Sequence, residues 1–179
     1  MSRRPSTHYV KWLTLALLVI VVDQITKAWA QSSLEYHTPV PLAPMLNLTL
    51  TYNAGAAFSF LSDAGGWQRW FFVAVSSCVS VGLFVWLIRL RNGSAHWLPL
   101  ALALVLGGAI GNLWDRVSLG LVVDFVDVHW GTSHWPAFNV ADSAICVGAA
   151  ILVVLSFRND PDERPGSEQD ATGQKSENV

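Results

Sequence analysis

The stretch WFFVAVSSCVSVGLFVWLI, Trp70 to Ile88, contains no charged side chain and is long enough to cross a bilayer as a helix. About 20 apolar residues at ~1.5 Å rise cover the ~30 Å of hydrocarbon. Three more runs of the same kind flank it. The first extends from about Val10 to Ala30, and its uninterrupted part, Trp12 to Val22, stops at Asp23. The third runs from Trp97 to Trp114 and the fourth from about Asn139 to Phe157. Composition agrees: the chain is 52% hydrophobic and only 13% charged. A soluble domain would be roughly 45–50% apolar and about 25% charged, so halved charge marks a membrane protein. Trp12, Trp29, Trp70, Trp86, Trp97 and Trp114 fall near the span ends, as an interfacial belt requires. The expected architecture is an all-α integral membrane protein of four transmembrane helices, one domain over residues 1–157. The polar remainder, 158–179, holds Pro161, Pro165 and Gly166 without apolar periodicity and is expected to be a disordered cytoplasmic tail.

Basic residues set the expected orientation. Arg3, Arg4 and Lys11 precede the first span, Arg89 and Arg91 link the second to the third, and Arg158 and Arg164 follow the fourth. The long segments Gln31–Gln68 and Asp115–Phe138 hold Arg116 alone. Positive charge stays inside, which puts both termini in the cytoplasm and both long segments outside. Asp23, Asp124 and Asp142 then all lie towards the outer face. The N-terminus also imitates a secretory signal that ends at Ala28-Trp29-Ala30. Asp23, Gln24 and Lys27 crowd the position where small neutral residues are wanted, so the segment is expected to be retained, with Lys27 snorkelling outward.

In the first outer segment Leu46, Leu48, Leu50 and Tyr52 alternate with Asn47, Thr49, Thr51 and Asn53, the period of a half-buried strand. Pro39, Pro41 and Pro44 punctuate its approach, and Ala54-Gly55-Ala56-Ala57-Phe58-Ser59 follows with small residues that admit a second backbone. A free strand edge here can take an extended peptide. These features predict a small β-rich cradle. The second outer segment, Leu121 to Trp130, is open between a strand and a short interfacial helix. Cys78 and Cys146 sit alone within apolar runs and are expected to be small buried side chains. The histidines have no ligand spacing, so neither a metal nor any other cofactor is expected.

An ionisable group beside a span is costly unless it is used. Asp142 lies three residues after Asn139, on one helical face with it, and falls in the first turn of the fourth span, where the helix dipole favours an anion. Helix capping alone also accounts for an acid there. Asp124 sits among Val122, Val123, Phe125 and Val126, where desolvation raises a carboxyl pKa; Asp127 competes with it on local sequence. Asn112 and Arg116, spaced i, i+4, end the third span after a Gly107-Gly108-Ala109-Ile110-Gly111 run that favours close helix packing. Arg116 suits a lipid phosphate, a peptide carbonyl or a carboxylate, and equally a head-group anchor. Asp23 fits a structural polar network better than bond breaking.

Five words occur in order on this four-span chain: Asp23-Gln24-Ile25-Thr26-Lys27; Tyr52-Asn53-Ala54-Gly55-Ala56-Ala57-Phe58-Ser59; Gly108-Ala109-Ile110-Gly111-Asn112-Leu113-Trp114-Asp115-Arg116; Val122-Val123-Asp124-Phe125; and Phe138-Asn139-Val140-Ala141-Asp142-Ser143. Together they resemble the bacterial lipoprotein signal peptidases, the type II signal peptidases, over about Trp12 to Phe157. The resemblance implies an inner-membrane aspartyl endopeptidase with a periplasmic cradle and a second periplasmic loop. Its partners would be membrane lipids and diacylglyceryl-modified prolipoproteins, cut before the lipidated cysteine, with no nucleic acid and as a monomer. Position by position it implies Asp124 and Asp142 as the catalytic pair. Asn53, Asn112, Arg116, Asn139 and Ala141 match positions that line or brace the site, and Asp23 and Gly108 match supporting ones. Trp114 departs from the family, where a smaller aliphatic residue is common. Two rival classes remain. A non-catalytic module binding lipidated peptide shares the fold and differs only in yielding no cleavage product. A transporter would place its acids near the midplane, not together at one face.

Overall fold

A computed structural model of the chain describes residues 9–55, 66–90 and 96–158. The expectations that rest on Arg3, Arg4, Arg91, Arg164, Ala56-Ala57-Phe58-Ser59 and the tail beyond Arg158 lie outside the described residues. The four apolar runs form four long helices: α1 (Val10–Ser33), α2 (Trp67–Arg89), α3 (Trp97–Ser118) and α4 (Val140–Arg158). All four are long and apolar enough to cross a membrane. α1 continues unbroken through Ala28-Trp29-Ala30.

α3 is the hub of the bundle. It packs on α1, α2 and α4 and buries Ala101, Leu102, Ala103, Leu106 and Ala109. The other helices turn large apolar side chains outward, among them Leu17, Leu18, Trp70, Val81 and Phe157. Such faces would be a liability in water but match lipid tails, so close packing, not apolar burial, must hold the helices together. Glycine supplies the closeness. A Cβ on Gly107 would stand 2.7 Å from the Ala16 carbonyl oxygen of α1, and one on Gly108 would overlap the Ala141 carbonyl oxygen of α4.

Between the helices the chain folds strands β1 (Val40–Ala43), β2 (Leu46–Asn53), β3 (Val122–Trp130) and β4 (Ser133–His134), an antiparallel sheet in the order β1-β2-β3-β4. The alternation at 46–53 is thus a strand, and the open reading of 121–130 resolves to one as well. Both connecting segments share one sheet because β2 and β3 pair from Leu46↔Val128 to Asn53↔Val122, with an irregularity between Leu48 and Thr51. β1 has no apolar alternation and is exposed throughout; as an edge strand it tolerates Pro41. Ala30, Leu50, Val123 and Phe125 seat the sheet on the end of α1. Beyond β4, the chain returns to β3: the Phe138 carbonyl accepts from the Phe125 and Val126 amides at 3.1 and 2.9 Å. That contact sets Asn139, and the start of α4, beside Asp124.

Two local expectations are overturned. Cys78 and Cys146 are exposed, Cys78 on α2 and Cys146 on α4 beside the cleft described below, because an apolar environment outside the bundle accepts a thiol as readily as a protein core does. Lys27 does not snorkel outward; it is buried between α1 and α3 at 2% exposure, held by carboxylates described below.

Candidate active site

The start of α4 organises the site. Asn139 accepts from the Asp142 amide through Oδ1 at 2.9 Å, and Asp142 Oδ2 accepts from the Asn139 amide at 3.2 Å. This is a reciprocal capping box, so the capping reading of Asp142 holds, and its other oxygen remains for further use. Asp142 Oδ1 accepts from the Asn112 side chain at 2.8 Å.

Asp124 projects from β3 into the same corner. Its Oδ1 accepts from Asn139 Nδ2 at 2.7 Å and its Oδ2 from Asn53 Nδ2 at 3.3 Å. Asn139 therefore touches both acids, one through its side chain and one through its backbone. Asp124 is almost completely buried. Burial first, and then the charge of Asp142, push its carboxyl up to about 7, while the Asn53 and Asn139 amides and Lys27 pull the other way. Asp127, the competing acid, faces elsewhere: Asn47 donates to it at 3.0 Å and His134 lies 2.8 Å away. Burial pushes Asp127 up, but those two bonds together with the charges of His134 and His129 outweigh it and leave the carboxyl below the ordinary range.

Behind the acids lies a buried ionic knot. The Lys27 ammonium contacts Asp23 and Asp115, both at 2.8 Å, and donates to Asn112 Oδ1 at 2.9 Å. Asp23 also accepts from the Ala141 amide at 2.9 Å, an orphan donor of the α4 N-terminus. Gln24 donates to Asp115 at 2.9 Å, and Asp115 receives the Val123 amide at 3.2 Å. A Cβ on Gly111 would lie 2.7 Å from Asp23. Asp23 is thus the network residue its position implied, and Gly108 and Ala141 meet at the α3–α4 contact. Asp115, Gln24 and the buried role of Lys27 escaped sequence reading. Their clue was the i, i+4 spacing of Asp23 and Lys27, a spacing at which opposite charges on a helix meet.

A cleft of about 510 Å³ opens beside the acids. Asn53, Asn112, Arg116 and Asp142 form its polar side; Phe138 and Ile145 belong to its apolar wall. Asp124 does not line the cleft itself but is bonded to Asn53, which does. Arg116 points inward, not to head groups, donating to the Gly55 carbonyl at 3.2 Å and stacking 5.3 Å from the Phe72 ring. Trp114 is 63% exposed and stays clear of the cleft, so the departure from the family pattern leaves it unobstructed. A second, shallower cleft of about 620 Å³ lies between the prolines beside β1 and His129 and His134, away from the acid pair. Among the described residues, no three His, Cys, Asp or Glu side chains are grouped to hold a metal ion.

Four apolar helices and two carboxylates bridged by one asparagine define a class: a polytopic membrane protein with a bridged acid pair at one end of its bundle. Known proteins agree. The signal peptidase (SPase) II family model matches residues 15–158. A lipoprotein signal peptidase of Shewanella halifaxensis is 52% identical over 155 residues, 87% of this chain and 91% of that protein. One from Teredinibacter turnerae is 56% identical over 145 residues, covering 80% and 85%. A bacterial membrane enzyme solved by the in meso method has the same fold, with a TM-score of 0.76 at 27% identity, covering 87% of this chain and 93% of that one. The chain belongs to the signal peptidase II family, the lipoprotein signal peptidases: membrane aspartic peptidases that remove signal peptides from prolipoproteins.

Proposed function

We propose that Asp124 and Asp142 are the catalytic pair and that the substrate is a prolipoprotein already carrying diacylglyceryl on the cysteine at the cut. The carrying observation is the Asn139 bridge, with the side chain on Asp124 and the backbone amide on Asp142. Two acids this close do not both ionise cheaply and share a proton. Asp142, which opens on the cleft and accepts two N–H donors, is the base that takes a proton from water. Asp124, pushed up to about 7, donates its proton to the scissile carbonyl oxygen as the water attacks. On collapse of the tetrahedral adduct Asp142 passes the proton it took from water to the leaving amine, and Asp124 recovers a proton from the adduct's hydroxyl. No Ser or Cys nucleophile and no cofactor enters.

Asn53, Asn112 and Asn139 orient the carboxylates, Arg116 faces the substrate backbone, and Asp23, Gly108 and Ala141 brace α1, α3 and α4 around them. The peptide lies along the sheet while its acyl chains remain in the bilayer beside α4, which reduces the entropic cost of alignment. Residues 1–157 act as one domain and as a monomer in the bacterial inner membrane. Both termini are cytoplasmic and the sheet faces the periplasm; 158–179 is dispensable. The decisive experiment incubates a lipidated lipobox peptide with Asp124→Asn and Asp142→Asn in detergent. Each variant melts as a folded protein and loses about 10²- to 10⁴-fold in turnover. Near-normal turnover by either variant refutes the pair.

A further inference from the structure

We propose that Lys27 is a positioning residue for the acid pair: its ammonium anchors the Asn112 carbonyl oxygen and so fixes that amide with its NH2 group towards Asp142. This inference rests on the reading of Asp124 and Asp142 as the catalytic pair. An ammonium has three donors, and Lys27 meets three acceptors: Asp23 at 2.8 Å, Asp115 at 2.8 Å and Asn112 at 2.9 Å. The Asn112 amide has two orientations. In the one present, Oδ1 accepts from Lys27 and from Asn139 Nδ2 at 3.2 Å, while Nδ2 donates to Asp142 at 2.8 Å. Reversed, the amide would set its oxygen against the Asp142 carboxylate and its NH2 against the ammonium, two repulsive contacts in a dry site.

A bolt between α1 and α3 alone would not require the contact to Asn112. Asp23 and Asp115 already have other donors, from Ala141, Gln24 and Val123. The ammonium also acts on the pair through its charge. Asp124 is faced by Asp142 of α4 and Lys27 of α1, with Asn53 and Asn139 bonded to it, and Arg116 of α3 is on the cleft side. Lys27 in turn faces Asp23 of α1 and Asp115 of α3. Lys27 favours the ionised form of Asp124 and opposes the effect of burial. Its removal therefore lets Asp124 hold its proton to higher pH.

The test is the charge-balanced variant Lys27→Met/Asp115→Asn, assayed in detergent with a lipidated lipobox peptide alongside its melting temperature. The expected result is a folded protein with KM within about twofold, kcat lower by about 10- to 100-fold, and the alkaline limb of the pH profile displaced upward. A folded variant with wild-type kcat and an unmoved limb overturns the proposal. Should that variant not fold, Lys27→Arg, which keeps the cation but alters the donor geometry at Asn112, carries the test. Reduced kcat at an unchanged melting temperature supports positioning, and unchanged kcat overturns it. If neither folds, Lys27 is a structural bolt and the proposal fails. Asp124→Asn and Asp142→Asn run in parallel: active aspartate variants sink the catalytic pair, whereas inactive ones beside a wild-type-like Lys27 variant sink this proposal alone.

Discussion

Asn139 donates its side-chain amide to Asp124 at 2.7 Å, joining β3 to the first residue before α4 through one hydrogen bond. The same residue gives its backbone amide to Asp142. Truncation separates the two functions. Asn139→Ala removes the Asp124 bond and the side-chain cap, while the backbone donor survives. Turnover is expected to fall about 10- to 100-fold, with about 1 kcal/mol lost from stability, read by peptide cleavage and thermal melting.

The Asp124 carboxyl, at about 7, makes activity sensitive to pH near neutrality. As the proposed proton donor it must be protonated, so kcat should decline as pH rises above about 7. Stability carries the same signature. The folded-state value lies above the ~3.9 of an unfolded aspartate, so the native state binds more protons between about pH 4 and 7 and its stability falls as pH rises through that window. Asp124→Asn removes the Asp124 contribution and flattens that slope. Chemical denaturation across pH 4–8 reads both behaviours; a wild-type slope surviving in Asp124→Asn contradicts them.

Gly108 admits the Ala141 carbonyl where a side chain would overlap it. Gly108→Val should drive α3 from α4, cost about 1–3 kcal/mol, and displace Asn112 from Asp142. Both melting temperature and turnover are expected to drop, and an unperturbed protein would refute the packing argument.

Asp127 is bonded to Asn47 and His134 and turned from the acid pair. Asp127→Asn is expected to keep turnover within about twofold of wild type. Loss comparable to that of Asp124→Asn would show the wrong acid had been chosen.

The spans were legible because a helix in lipid is identified by length and apolarity, and Trp70 to Ile88 leaves no other reading. β2 was legible through its alternation from Leu46 to Asn53, since one of its faces is buried. β3 was not, because Val122 to Phe125 is buried on both faces and loses the period that separates strand from helix. β1 lies on the edge, buries nothing, and leaves no pattern. The acids stood out as charges among apolar neighbours, yet choosing Asp124 over Asp127 took a family resemblance; local chemistry is alike at both. Lys27 was misplaced because two of its three partners, Asp115 and Asn112, come from α3, and a contact between helices distant in sequence has no local signature; the i, i+4 spacing from Asp23 was its one local clue.

Because one of the proposed catalytic acids belongs to α4 and the other to β3, tied through Asn139, the proposed hydrolytic centre cannot assemble before α4 is made. A nascent polypeptide halted before its final insertion would hold Asp124 without Asp142. On the proposed assignment such a fragment is inert, so newly made copies would not cut neighbouring proteins until α4 is seated.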